Sequence, residues 1–188
     1  MKKGYLLTAS ILILLANMTF INYIAQAETC VGGGPLSITT LPSTANFPPT
    51  ETSLTDITGS LAFGSTINFE DMRQVSDGFT LTVTSTNFED INNSGNSFSL
   101  SNLSVTSDVN DSIGLVECDD ATGITLSQYT FSAFTDSNSD GISDSKTLIS
   151  GNSIARIGKY SITPELQLTT PGKTTAGTFR TTLTFSIQ

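Results

Sequence analysis

Near the carboxyl end, Phe179, Leu183, Phe185 and Ile187 all fall on odd numbers, with Thr178, Arg180, Thr182, Thr184 and Ser186 between them. Successive side chains of a strand point to opposite faces, so this run offers an apolar face to a core and a threonine face to water. Beyond the first 27 residues no window places apolar residues at helical spacing. A chain patterned this way has to close its core with strands.

The same period recurs upstream. Leu61, Phe63, Ile67 and Phe69 share a parity, with Gly64 placed for a bulge; Phe79, Leu81 and Val83 alternate with Thr80, Thr82 and Thr84. Phe98 and Leu100 give way to Leu103 and Val105, and Ile124 and Leu126 to Tyr129 and Phe131, each pair changing parity. A parity change marks a bulge or a change of sheet. Tyr160, Ile162, Leu166 and Leu168 then lead through a Pro171-Gly172 turn into the closing run. Serine and threonine exceed a quarter of the chain, which suits strands and the turns between them. The expected fold is all-β, a single antiparallel sandwich or barrel-like domain.

Ahead of that domain the chain opens with Lys2 and Lys3, an apolar stretch from Tyr5 to Ile24, and Ala25-Gln26-Ala27. This is the pattern of a secretory signal peptide, cleaved before Glu28. The expected organisation is therefore a signal peptide over 1–27, an arm over 28–58 and the β-domain over 59–188. The arm carries Pro35, Pro42, Pro48 and Pro49, which restrict it to one short edge strand near 36–40. Its Leu36, Ile38, Leu41 and Phe47 are apolar enough to pack along the domain.

A secreted chain with two cysteines, Cys30 and Cys118, is expected to oxidise them to one disulfide. Closing so long a loop stabilises a fold by about 4 kcal/mol before strain is subtracted. The formal charge of -9 becomes -11 once Lys2 and Lys3 are removed, so nucleic acid and anionic lipid are poor partners. Membrane contact is expected through the signal peptide only. Histidine is absent, which removes Ser-His-Asp and Cys-His catalysis and every His-ligated metal site. The carboxylate pairs Glu70-Asp71, Glu89-Asp90 and Asp119-Asp120 point to opposite faces if they lie in strands, and read as solvated turn charges rather than glycosidase acids. No enzymatic activity is expected.

Residues 136–144 carry the sharpest local motif. Asp136, Asn138, Asp140 and Asp144 place side-chain oxygens at positions 1, 3, 5 and 9, Gly141 stands at position 6, and Ile142 would offer its carbonyl at position 7. That spacing suits a hard cation, and the run resembles the calcium loops of thrombospondin-type and dockerin-like repeats. Thr147 stands where an EF-hand has its bidentate Glu, so any calcium is expected to be weakly held and structural. The competing reading is a polar hairpin tip built from good turn formers.

The closing F-R-T-T-L-T-F-S-I resembles the C-terminal signature of WxL-domain proteins: an aromatic, three residues, an aliphatic, Thr, Trp, any residue, Leu. Phe179 takes the first aromatic position, Leu183 and Thr184 match, Phe185 stands for the Trp and Ile187 for the Leu. Residues 171–178 look like the family's lead-in, and Phe79-Thr80-Leu81, after Asp77-Gly78, lies where the first Trp-x-Leu falls. The resemblance covers most of the mature chain in layout and about twenty residues in motif. It implies a non-enzymatic protein, secreted to the bacterial cell surface and bound non-covalently to cell-wall peptidoglycan or another surface glycan. Phe79, Leu81, Phe179, Leu183, Phe185 and Ile187 would be its motif residues; other surface proteins are further possible partners. Both tryptophans are phenylalanines here, which keeps the hydrophobic contribution and removes the N–H donor. Shared parity with Leu81, Val83, Leu183 and Ile187 points Phe79 and Phe185 inward, as packing rather than as a sugar platform. The alternative function is a structural β-sandwich subunit of a surface coat or fimbria-like assembly, joined by strand addition through the closing strand or the arm.

Overall fold

The computed structural model describes residues 33–63, 66–73, 77–106, 114–117, 124–126, 130–152 and 158–188. The segment expected to be a signal peptide, Gly64, both cysteines and the Asp119-Asp120 pair lie outside them, and with these the expected bulge and disulfide.

The strands in chain order are β1 (Leu36–Thr40), β2 (Ile57–Ala62), β3 (Ile67–Asp71), β4 (Phe79–Ser85), β5 (Phe88–Asp90), β6 (Asn93–Phe98), β7 (Leu103–Val105) and β8 (Gly114–Glu117). They continue with β9 (Ile124–Leu126), β10 (Ser132–Ala133), β11 (Lys146–Gly151), β12 (Gly158–Ile162), β13 (Glu165–Thr170), β14 (Phe179–Arg180) and β15 (Leu183–Ile187). A single 3-10 turn, Leu100–Asn102, separates β6 from β7. Among the described residues every pairing is antiparallel, in four sheets ordered β1-β3-β12-β8, β10-β7-β13-β2, β15-β4-β11-β9 and β14-β5-β6. The fold is all-β and sandwich-like, and among the described residues no sheet closes into a barrel.

Register shows how four sheets make two layers. β3 pairs β12 and β2 pairs β13, so one long antiparallel ribbon changes sheet halfway, bridged by Phe63 N–H to Pro164 C=O at 3.4 Å. β4 pairs β15 and β5 pairs β14 in the same manner, bridged by Thr86 N–H to Thr182 C=O at 3.1 Å. The 61–69 run is therefore divided between two strands in different sheets. The parity change after Leu100 is a change of sheet through the 3-10 turn, and that between β9 and β10 is also a change of sheet.

The layers meet through aromatic rings. Phe79 of β4 lies 5.4 Å from Phe69 of β3 and 5.9 Å from Tyr160 of β12, while Phe69 and Tyr160 stack at 5.3 Å. Phe63, at the bend of the first ribbon, meets Phe185 of β15 edge-on at 6.2 Å. Such pairs add about 0.5–1.5 kcal/mol each beyond the area they bury. Ile67, Leu81, Val83, Leu103, Val105, Leu148 and Ile149 fill the space around them, each at most 1 % exposed. The arm contributes β1 as an edge strand on β3, and its Leu36, Ile38 and Phe47 pack on the core; Leu41, expected to join them, is 45 % exposed.

Phe79 is 3 % exposed and Phe185 half-buried. Truncating Phe79 to Ala is expected to cost about 3–5 kcal/mol in urea unfolding, the range for core aromatics, and Phe185→Ala clearly less. Equal, small effects from both would mean that neither ring holds the layers together.

Candidate functional site

Of the six motif residues, five belong to the β4–β15 strand pair. Register places Ile187 opposite Leu81 and Phe185 opposite Val83, and Thr80 exchanges backbone hydrogen bonds with Gln188 (2.8 and 3.1 Å). Phe79 and Leu81 are buried; Leu183, Phe185 and Ile187 are half-buried, with Thr182, Thr184 and Ser186 exposed between them. Gly78, just before β4, has φ +70°, and a Cβ there would strike the Gly151 carbonyl, so only glycine fits this turn. The sixth residue, Phe179, lies elsewhere: its half-buried ring sits 4.9 Å from Phe98 at the end of β6, which in turn stacks on Phe88 at 4.4 Å.

Two carboxylates expected in solvent are buried instead. Asp71, 6 % exposed, takes Nε and a terminal nitrogen of Arg73 at 2.9 Å each and the Arg73 N–H at 3.1 Å; that guanidinium also donates to the Gly78 carbonyl. The pair clamps the end of β3 to the turn that starts β4. Asp90, also 6 % exposed, accepts the Asn92 N–H at 3.0 Å and the Asn96 amide at 3.4 Å, while Gly177 passes so close that a Cβ would overlap its carboxylate. The Asn92 N–H, with the Asn96 amide and the Thr178 backbone, holds Asp90 below the usual carboxylate range against the opposing effect of burial. Their neighbours Glu70 and Glu89 are less buried, so each pair does split between faces.

The 136–144 loop ties itself together. Asp136 accepts the Asp140 N–H at 3.2 Å and the Gly141 N–H at 2.9 Å, Asp140 accepts the Ile142 N–H at 2.8 Å, and the Asn138 amide donates to Asp140 at 2.9 Å. Asp144 accepts the hydroxyls of Ser137 and Thr135 (2.5 and 3.0 Å), which hold its carboxyl below the usual range. Ser139 (φ 59°) and Gly141 (φ 83°) provide the left-handed backbone that the reversal needs. Among the described residues no three His, Cys, Asp or Glu side chains gather around a common point fit for a metal ion. Asp136 and Asp140 are oriented onto amides of their own loop.

Asn87, which sequence reasoning passed over, fastens this loop to the sheet. Its N–H donates to Gly141 C=O at 3.2 Å and its side-chain oxygen accepts the Leu100 N–H at 3.0 Å. Between the 97–101 segment and residues 134–141 lies a shallow, open groove of about 750 Å³. The available signal was the parity change from Val83 to Phe88, which marks the bend where Asn87 sits. Comparison with protein-family models, curated proteins and solved structures finds no significant match.

Two outcomes follow. Because the Asp90 pKa is depressed, its contribution is complete above the unfolded value of about 4 and is lost as pH falls through the lower folded value. Asp90→Asn should thus narrow the stability difference between pH 6 and pH 2 in acid-unfolding curves; an unchanged acid limb would rule out the linkage. Asp136→Ala should cost about 1–2 kcal/mol in the presence of EDTA, from two lost hydrogen bonds. No loss under those conditions would mean that the loop does not rely on them.

Proposed function

We propose that this chain is a secreted, non-enzymatic bacterial cell-surface domain that associates non-covalently with cell-wall glycan through a WxL-like β-domain. The observation that carries this reading is the pairing of β4 with β15. It makes neighbours of two motif segments that stand about a hundred residues apart in the sequence. Phe79-Thr80-Leu81 and Leu183–Ile187 then act as one packed unit, with the family's tryptophan positions filled by core and half-buried phenylalanines. In this reading the rings hold the sandwich together, and the ligand is met by the loops. The groove contains one titratable side chain, Asp136, which favours binding over acid–base chemistry.

Secretion rests on the Lys2, Lys3 and Ala25-Gln26-Ala27 pattern. Among the described residues no helix is long and apolar enough to cross a membrane. Calcium belongs to the proposal as a weak structural ligand of the 136–144 loop. To bind it, Asp136 and Asp140 would have to exchange backbone amides for the ion.

Sedimentation with purified peptidoglycan sacculi tests the binding. Wild-type protein should pellet with them, and Phe185→Ala should pellet equally well while it remains folded. Loss of pelleting in a folded Phe185→Ala variant would instead make the ring a surface platform. Failure of folded wild type to bind sacculi of any wall type, together with concentration-dependent assembly on sizing, would replace this reading with the coat-subunit alternative.

A further inference from the structure

We infer that the groove between the 97–101 segment and the 134–141 loop is the contact site for an uncharged glycan chain. This inference rests on the wall-binding reading and assigns it a location. One wall presents Ser97, Ser99 and Ser101; the other presents Thr135, Ser137 and Ser139. All six residues are exposed. The Thr135 and Ser137 hydroxyls donate to Asp144 and so offer a ligand their lone pairs, while Ser99 and Ser101 share one hydrogen bond at 2.8 Å and keep one donor between them. With Ser97 and Ser139 the two walls still present donors and acceptors to a ligand that is itself made of hydroxyls and amides. The lining holds no Lys or Arg and a single carboxylate, and the whole domain is acidic. Phosphate-bearing and other anionic polymers are therefore disfavoured, and a neutral sugar is not.

The floor supplies the apolar part. Phe98 is the half-buried apolar side chain of the groove, since Leu100 and Phe134 beside it are at most 1 % exposed, and its ring is fixed by Phe88 on one side and Phe179 on another. Sugars combine hydroxyl edges with C–H faces, and an aromatic floor between hydroxyl walls matches both. Phe179, the first aromatic of the closing motif, thereby acquires a role that β4–β15 packing does not give it: it is a positioning residue behind the floor. The groove's volume lies within the usual range for ligand sites, but its openness prevents the near-complete burial that a compact cofactor needs. A polymer laid across the groove does not need such burial, because it gains from contacts repeated along its length.

The test uses the mature chain and two probes, intact sacculi and a soluble tetrasaccharide of N-acetylglucosamine. The double variant Ser97→Leu/Ser101→Leu replaces exposed hydroxyls and leaves every backbone hydrogen bond of the turn available. It should keep the wild-type melting temperature and bind both probes about tenfold more weakly, the loss expected from one or two hydrogen bonds. On wild-type protein the tetrasaccharide should shift the amide resonances of residues 97–101 and 135–139 and spare β4 and β15, a readout independent of how the variant folds. Undiminished binding by the folded variant, or shifts confined to other loops, would overturn the groove while leaving wall binding intact. Failure of wild type to bind either probe would overturn both readings.

Discussion

The antiparallel pairing of β4 with β15 is the contact on which the rest of the molecule depends. β4 is central, with β15 on one side and β11 on the other, and its inward residues Phe79, Leu81 and Val83 meet the opposite layer. Its partner strand lies about a hundred residues further along the sequence, so the pair closes a loop of that length. Closure entropy grows only slowly with loop length, and a sheet whose core face is continuous from one strand to the next can offset it. Without β15 the Thr80 and Thr86 amides would lose their partners and Phe63 its ring contact.

Polar locks hold the places where the ribbons bend. Asp71 with Arg73 secures the turn into β4, Asp90 draws the 177–178 segment against the β5–β6 hairpin, and Asn87 joins the 134–141 loop to the 3-10 turn. Each meets backbone groups that a change of sheet would otherwise strand, and a buried unpaired N–H or C=O costs more than a surface one. The bends that need these locks also produce the groove. Its floor aromatic is placed by Phe88 in the second ribbon's short arm and by Phe179 opposite.

Period-2 patterning was legible wherever one face of a strand is buried. The inward sets of β4 and β15 could be read from parity alone; the edge strand of the arm was read from its prolines, and the parity change after Leu100 left a bulge and a change of sheet both open. Bends were harder to read. The 61–69 run keeps its parity across a change of sheet, and alternation cannot register such a step. The burial of Asp71 and Asp90 was likewise hidden: a carboxylate beside another carboxylate looks solvated until the Arg73 fork or the Asn92 amide is seen in place. The 136–144 spacing identified a tight acidic loop, but not that its oxygens face the loop's own amides. Asn87 has no sequence signature beyond its position at a parity change, since its two partners, Gly141 and Leu100, are remote along the chain.

Native-state hydrogen exchange at Gln188 tests the β4–β15 pairing most directly. A residue just past the last pair of a strand ordinarily frays, and its amide exchanges at nearly the rate of free peptide. Here the Gln188 N–H donates to Thr80 C=O and the Thr80 N–H donates to Gln188 C=O. Both amides should be protected and should exchange through the same opening as the centre of β4. Fast exchange at Gln188 and Thr80 beside a protected Thr86 would show that the strand frays from its end. Fast exchange at all three would contradict the pairing itself.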